Sequence, residues 1–187
     1  MTDHSQLIKN RLKGKASAQK QLYEEFAPLM LGVCYRYTKS VQDAEDVLQE
    51  GFVKVFRHLH QYKYEGEPGA WIRKIMVNTA LNYLKKNRKY QYDLSFNEMS
   101  LHPVSVDDPS VTLQAKELAD LVRQLPTGFQ TIFNLHAIEG YTHVEIAGLL
   151  GITDGTSRSQ YARARALLIK WIEKFSFEDK SENYAKK

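Results

Sequence analysis

A single cysteine, five prolines and no long apolar run leave this 187-residue chain without the parts several function classes require. Cys34 alone excludes an internal disulfide and a cysteine-built metal cage. Its place in the apolar run 29–35 predicts a buried core thiol rather than a reactive one. No stretch approaches the roughly twenty apolar residues of a membrane span. Residues 1–15 are polar and lack the apolar centre of a signal peptide, so a cytoplasmic protein with no membrane insertion is expected. No phosphate-cradling loop, paired-carboxylate site or nucleophile–base pair stands out. His136 and His143 are seven apart, but Gly140 interrupts the helix that would align them and no acid or cysteine completes a ligand set. Neither a metal nor a cofactor is expected.

What is present is charge, and it is segregated. The formal net charge is +4. From Lys54 to Lys89 nine bases stand against Glu65 and Glu67, whereas from Asp93 to Asp120 six acids stand against Lys116 alone. Such blocks suit segments with different partners, and the basic one favours an anionic partner.

Almost every periodic segment is helical, which predicts an all-α chain. Residues 18–37 carry Leu22, Phe26, Leu29, Met30, Val33 and Tyr37 at spacings of three and four. Helices over 40–62 and 69–90 complete an expected N-terminal bundle, domain 1–90. Periodicity fails over 91–111, where Pro103, Pro109 and paired aspartates mark a flexible acidic linker. Helix resumes near Thr112, breaks at Pro126, and ends in a helix-turn-helix. The second domain is placed at 112–176 and a frayed polar tail at 177–187.

Three surfaces are candidates for function. On the helix after Ser40, a buried stripe of Ala44, Val47, Leu48, Gly51, Phe52, Val55 and Leu59 leaves Asp43, Asp46 and Glu50 on the other side. Val53 lands among those acids. An apolar residue in an acidic face suits a protein contact, although periodicity alone equally allows a solvated face.

The next helix presents Trp71, Asn78, Asn82, Lys85 and Lys89 along one stripe with Lys74 and Lys86 beside it, and Tyr62, Lys63 and Tyr64 precede it. A ring, amides and ammonium groups together fit opened or single-stranded nucleic acid. The alternative makes Trp71 a core residue and the lysines solubilising.

In the third, Gly151 marks a sharp turn between two helices. Thr156, Ser157, Arg158, Ser159, Gln160, Tyr161, Arg163 and Arg165 then form a basic second helix. Helices of this kind enter the major groove N-terminal end first, with the later arginines on phosphates.

The order of these motifs resembles the extracytoplasmic-function (ECF) group of the bacterial sigma-70 family of RNA polymerase sigma factors. The residues that carry the resemblance are 43–52 (DAEDVLQEGF), 71–78 (WIRKIMVN), Leu125-Pro126, 139–147 (EGYTHVEIA) and 155–165. It covers about Leu22 to Lys174. The resemblance implies sigma-2 and sigma-4 helical domains, with Asp43, Asp46, Gln49, Glu50 and Val53 binding the β′ clamp helices of core RNA polymerase. It implies minus-ten recognition and melting by the 71–89 helix and its preceding loop, and minus-thirty-five reading by the last helix. The β flap, promoter DNA and an anti-sigma factor are implied partners, and the linker would thread toward the polymerase channel.

Three positions depart from the family pattern. Pro68 stands where a phenylalanine is frequent, Ser157 where an apolar residue is usual, and Gln160 where arginine is frequent. A stand-alone repressor or activator that senses a ligand through its N-terminal bundle is the competing reading. A nucleic-acid enzyme is disfavoured by the missing metal or nucleophile constellation.

Overall fold

The computed structural model describes residues 16–62, 66–87 and 113–185, and side chains within 17–62, 66–87 and 118–173. All regular structure among them is helical, in two compact units that fall within Met1–Arg88 and Lys89–Lys187.

In the first unit α1 (Ala16–Tyr35), α2 (Val41–His58) and α3 (Pro68–Lys86) pack pairwise around one core. α1 contributes Leu22, Phe26, Met30, Val33 and Cys34, all buried, while Tyr37 just beyond it is 1% exposed. Leu29, expected in that stripe, is 64% exposed instead. It lies next to Pro28 on the outer side of α1, where the missing proline N–H disturbs only solvent-facing backbone. Cys34 is fully buried, and burial raises its thiol pKa from 9.0 to about 12.

α2 starts where the sequence predicts. Ser40 accepts a hydrogen bond from the Asp43 N–H at 3.1 Å, and Asp43 adds negative charge to the first turn. The seven residues of the predicted stripe are all buried. Gly51 marks the closest approach to α3, because a Cβ there would overlap Met76 Sδ. A 3-10 turn (Leu59–Gln61) ends the segment. α3 begins on Pro68, which suits the first turn since its absent N–H would have no helical acceptor there.

In the second unit α4 (Leu113–Gln124) and α5 (Thr127–Phe133) pack on the long α7 (Asp154–Ala185). Leu121, Val122, Leu125, Phe129, Ala164 and Leu168 form the core, flanked by Phe133, Leu167 and Trp171. α5 runs into a π-helical turn, Asn134–Ile138, closed by Glu139 N–H on Asn134 O at 2.9 Å. α6 (His143–Leu150) opens with a reciprocal cap. Thr142 accepts from Glu145 N–H, and the Glu145 carboxylate accepts from Thr142 N–H at 2.8 Å. It closes on Gly151 at φ 70°, a left-handed conformation that glycine adopts without side-chain strain.

The frayed tail expected from 177 is not found, since α7 continues to Ala185. No glycine or proline follows Gly155, so nothing in the sequence stops the helix. The expected linker 91–111 lies outside the described residues.

Candidate protein and nucleic-acid interfaces

The acidic side of α2 is partly committed within its own unit. Asp43 is half-buried, and its Oδ1 accepts from the Tyr83 hydroxyl of α3 at 2.5 Å. That phenol is raised from 10.0 to about 12, first by burial and then by the hydrogen bond and charge of Asp43. Glu50 pairs with Lys54 at 2.7 Å, and Lys54 Nζ also donates to Thr79 Oγ1 of α3 at 3.3 Å. The Lys54 hydrogen bond, helped by the charges of Lys54 and Lys86, holds the Glu50 carboxyl below its ordinary value of 4.5. Asp46 and Gln49 are exposed and Val53 is 56% exposed. The five predicted contact residues therefore divide. Asp46, Gln49 and Val53 face outward, while Asp43 and Glu50 also tie α2 to α3.

Periodicity did not reveal that α1 extends this surface. Tyr23, Ala27 and Leu31 line a shallow groove with Glu45, Leu48 and Gln49 of α2. The Tyr23 ring lies 4.7 Å from that of Phe52. Tyr23 and Leu31, aromatic and apolar yet outside the stripe read for this helix, were the available signal.

On α3, Ile72, Met76, Thr79 and Ala80 are buried, while Asn82, Lys85, Lys86 and Lys74 are exposed. Asn78 and Trp71 are half-buried. Trp71, Asn78, Asn82 and Lys85 thus share one helix, with Lys85 and Lys86 in its last turn. Tyr62 is a correction. It is 5% exposed, its hydroxyl donates to Gly66 O at 2.6 Å, and its ring sits 5.5 Å from Trp71. Buried beside Trp71 and bonded to Gly66, it does not present a stacking face, because a buried phenol directs its donor to a local acceptor. Lys63, Tyr64 and Lys89 lie outside the described residues.

The helix-turn-helix forms, but several predicted readers turn inward. Ser157 is fully buried and Gln160 is 8% exposed. Both lie with Ala164 and Leu168 on the side of α7 that faces the core. Neither projects to base edges. Tyr161 is half-buried, edge-on to His136 at 4.6 Å and stacked near Phe133 at 6.0 Å. Thr156 completes the cap of α7, its N–H donating to Thr153 Oγ1 at 3.1 Å and its hydroxyl paired with the same atom. Arg158, Ser159, Arg163 and Arg165 are exposed. Arg158 Nε bonds Asp154 Oδ2 at 3.0 Å, and the Arg165 guanidinium lies 5.9 Å over the Tyr161 ring.

His136 and His143, apart in the sequence reading, are stacked with ring centres 4.2 Å apart. The π turn shifts the phase of its helix by one residue, and the chain then folds back through Gly140 at φ 79°. No cluster of three or more metal-ligating side chains occurs among the described residues, nor is any described helix long and apolar enough to cross a membrane.

Comparisons agree with this architecture. Residues 22–90 match the family model described as Sigma-70 region 2, and residues 115–168 match that of Sigma-70, region 4. The chain is 28% identical over 179 residues to the ECF RNA polymerase sigma-E factor of Haemophilus influenzae, covering 90% of this chain and 94% of that one. It is 24% identical to the ECF RNA polymerase sigma factor SigW of Bacillus subtilis, covering 88% and 94%. A sigma factor from Bartonella quintana, solved with an anti-sigma factor, shares the fold at a TM-score of 0.52 and 21% identity, over 82% of this chain and 96% of that one. Two helical units in the order region 2, region 4, each matched by its own family model, place the chain in the ECF group of the sigma-70 family of RNA polymerase sigma factors.

Proposed function

We propose that this sigma factor divides its work among the three surfaces described above. The outward face of α2, through Asp46, Gln49 and Val53 with Asp43 and Glu50 at its edge, takes the clamp helices of the polymerase β′ subunit. Trp71, Lys74, Asn78, Asn82, Lys85 and Lys86 of α3 hold the minus-ten strand after it separates, together with Lys63, Tyr64 and Lys89. Arg158, Ser159, Arg163 and Arg165 of α7 meet minus-thirty-five DNA in the major groove, with Tyr161 backing them and the β flap bound to the same domain. The units would occupy residues 1–90 and 112–176, joined by 91–111. The chain itself makes and breaks no bonds. An anti-sigma protein would act by covering one of these faces.

One observation carries the reading best. Val53 stands exposed on α2, on the same side as Asp46, Gln49 and Glu50 by helical spacing. With the groove of Tyr23, Ala27 and Leu31 reaching Gln49 on the same helix, the apolar surface is more than one residue, and apolar surface among charges suits a protein contact. Each DNA contact is weak alone, and docking on the polymerase makes the second one intramolecular.

The test is reconstitution with bacterial core polymerase. The wild-type chain should yield promoter-specific transcripts, and affinity for promoter DNA should fall steeply with salt. Asp46→Ala with Glu50→Ala should weaken core capture about tenfold while leaving the melting temperature of the chain within a few degrees. Undiminished capture would remove the clamp assignment. Specific DNA binding that gains nothing from core polymerase would favour the repressor reading.

A further inference from the structure

Ser157 presents a problem that the reading of α7 as a DNA-recognition helix does not solve. It lies in the first turn of that helix, beside the exposed Arg158 and Ser159, yet none of its surface reaches solvent. A buried hydroxyl needs a hydrogen-bond partner. The partner is His143 Nδ1 at 2.9 Å, on the first residue of α6. The bond therefore joins the N-terminal ends of the two helices of the helix-turn-helix, the ends that approach DNA first.

His143 is itself held from behind. Its ring stacks on His136 at 4.2 Å and 23°. His136 Nδ1 lies 2.8 Å from the carbonyl of Tyr141. A carbonyl only accepts, so that nitrogen carries the proton and the ring orientation is fixed. Tyr161 closes the cluster edge-on to His136. Burial, then the nearby charges of His136 and Arg158, lower the pKa of His143 below 6.5 against the opposing pull of Asp154. A neutral ring stacks on its neighbour without repulsion.

We infer that His143 is a positioning residue for DNA reading, fixing through its bond to Ser157 the rotation of α7 that aims Arg158 and Ser159 at base edges. This rests on the assignment of α7 to the upstream promoter element. An α-helix with its side chains is about 10–12 Å across. A turn of roughly 20° about its axis therefore moves a side-chain tip by about 2 Å, enough to break a base-edge hydrogen bond with a working range of about 2.7–3.2 Å. Apolar packing alone at this position would hold the helix in place but set its rotation less sharply, because dispersion contacts have no direction. In this chain a polar post replaces them.

The experiment uses core polymerase loaded with the full chain and a promoter library randomised in the upstream element, with enriched sequences read from the transcripts. Ser157→Ala and His143→Leu should flatten the base preference of that element about tenfold while core capture is unchanged. His143→Asn, which can return a donor or acceptor near the Nδ1 position, should keep the preference within about twofold of wild type. Should either single variant fold poorly, the double variant His143→Leu with Ser157→Ala, apolar on both sides and free of an orphaned polar atom, should melt like wild type and still read loosely. A wild-type upstream preference in Ser157→Ala or in the double variant overturns the inference alone. A wild-type holoenzyme with no upstream preference overturns the assignment of α7, and the inference with it.

Discussion

Replacing Tyr83 with phenylalanine removes one oxygen and with it the 2.5 Å donation to Asp43 that joins α3 to the first turn of α2, along with a contact to Asn87 within α3's own C-terminal end. Hydrogen bonds to charged groups contribute about 1.5–3 kcal/mol. This pair is half-exposed, so water replaces part of what Asp43 loses, and the helix N-terminus continues to favour its charge. The expected loss is about 1 kcal/mol, equivalent to roughly 4–8 °C in the melting temperature of a unit this size. The two tryptophans are divided between the units, Trp71 in one and Trp171 in the other. In a Trp171→Phe background, urea unfolding followed by fluorescence therefore reports the first unit alone. The pH dependence has a definite sign. The phenol is raised from 10.0 to about 12, so the folded state keeps a proton that the unfolded chain releases first. Its contribution is complete below pH 10 and is lost as pH rises toward 12. Wild type should thus exceed the Phe variant at pH 8, and the gap should narrow by pH 11. Asp43→Asn in the same background should show coupling with Tyr83→Phe rather than simple addition. Identical unfolding midpoints at pH 8, or a gap that stays constant to pH 11, would refute the account.

Gly51→Ala should destabilise the first unit by about 1–3 kcal/mol in denaturant melts, since the new methyl would overlap the end of Met76, a fully buried side chain that must repack to make room. Gly148→Ala is the matched control, because a Cβ in that part of α6 meets nothing within 4 Å and should be neutral or stabilising by about 0.5–1 kcal/mol. Cys34, with its thiol pushed up to about 12 by burial, should resist alkylation at pH 8 in the folded chain and react fully in urea. Mass spectrometry of the intact protein checks this.

The sequence carried the helical framework because each helix has one buried face with a period the eye can follow. The seven-residue stripe of α2 is buried throughout, and Ser40 caps it as the sequence suggested. Leu29 broke the pattern because periodicity assigns a face but cannot tell whether another element covers it. The α7 residues were harder for a related reason. A helix packed in a domain must bury a face whatever its other side does, and Ser157, Gln160, Ala164 and Leu168 at spacings of three and four are that face of α7. Two of them are polar, so an inspection that equates polar with exposed assigns them to DNA. The spacing with Ala164 and Leu168 was the available signal. Tyr62 misled in the opposite way, since an aromatic beside lysines suggests stacking, while its bond to Gly66 is a contact that no periodicity encodes. The His136–His143 stack depends on a π turn and a left-handed glycine together, two local irregularities that no helical wheel reproduces.

The sequence placed an acidic face on α2 and a stripe of amides and lysines on α3, and their packing makes that picture more specific. Tyr83 reaches back to Asp43, Lys54 bridges Glu50 to Thr79, and the field of Lys86 acts on Glu50. Part of each helix's polar surface is thus spent on holding the other in register. An acidic side chain bonded inside its own unit must give up that bond before it can serve a partner, which reduces what it adds to binding. Asp46, Gln49 and Val53 carry no such penalty from α3. A partner docking on α2 would therefore gain most at the centre of its outward face, while Asp43 and Glu50 at the rim keep α2 and α3 fixed to one another. The same residues that sequence inspection groups into a single binding stripe divide by their neighbours into contact and frame.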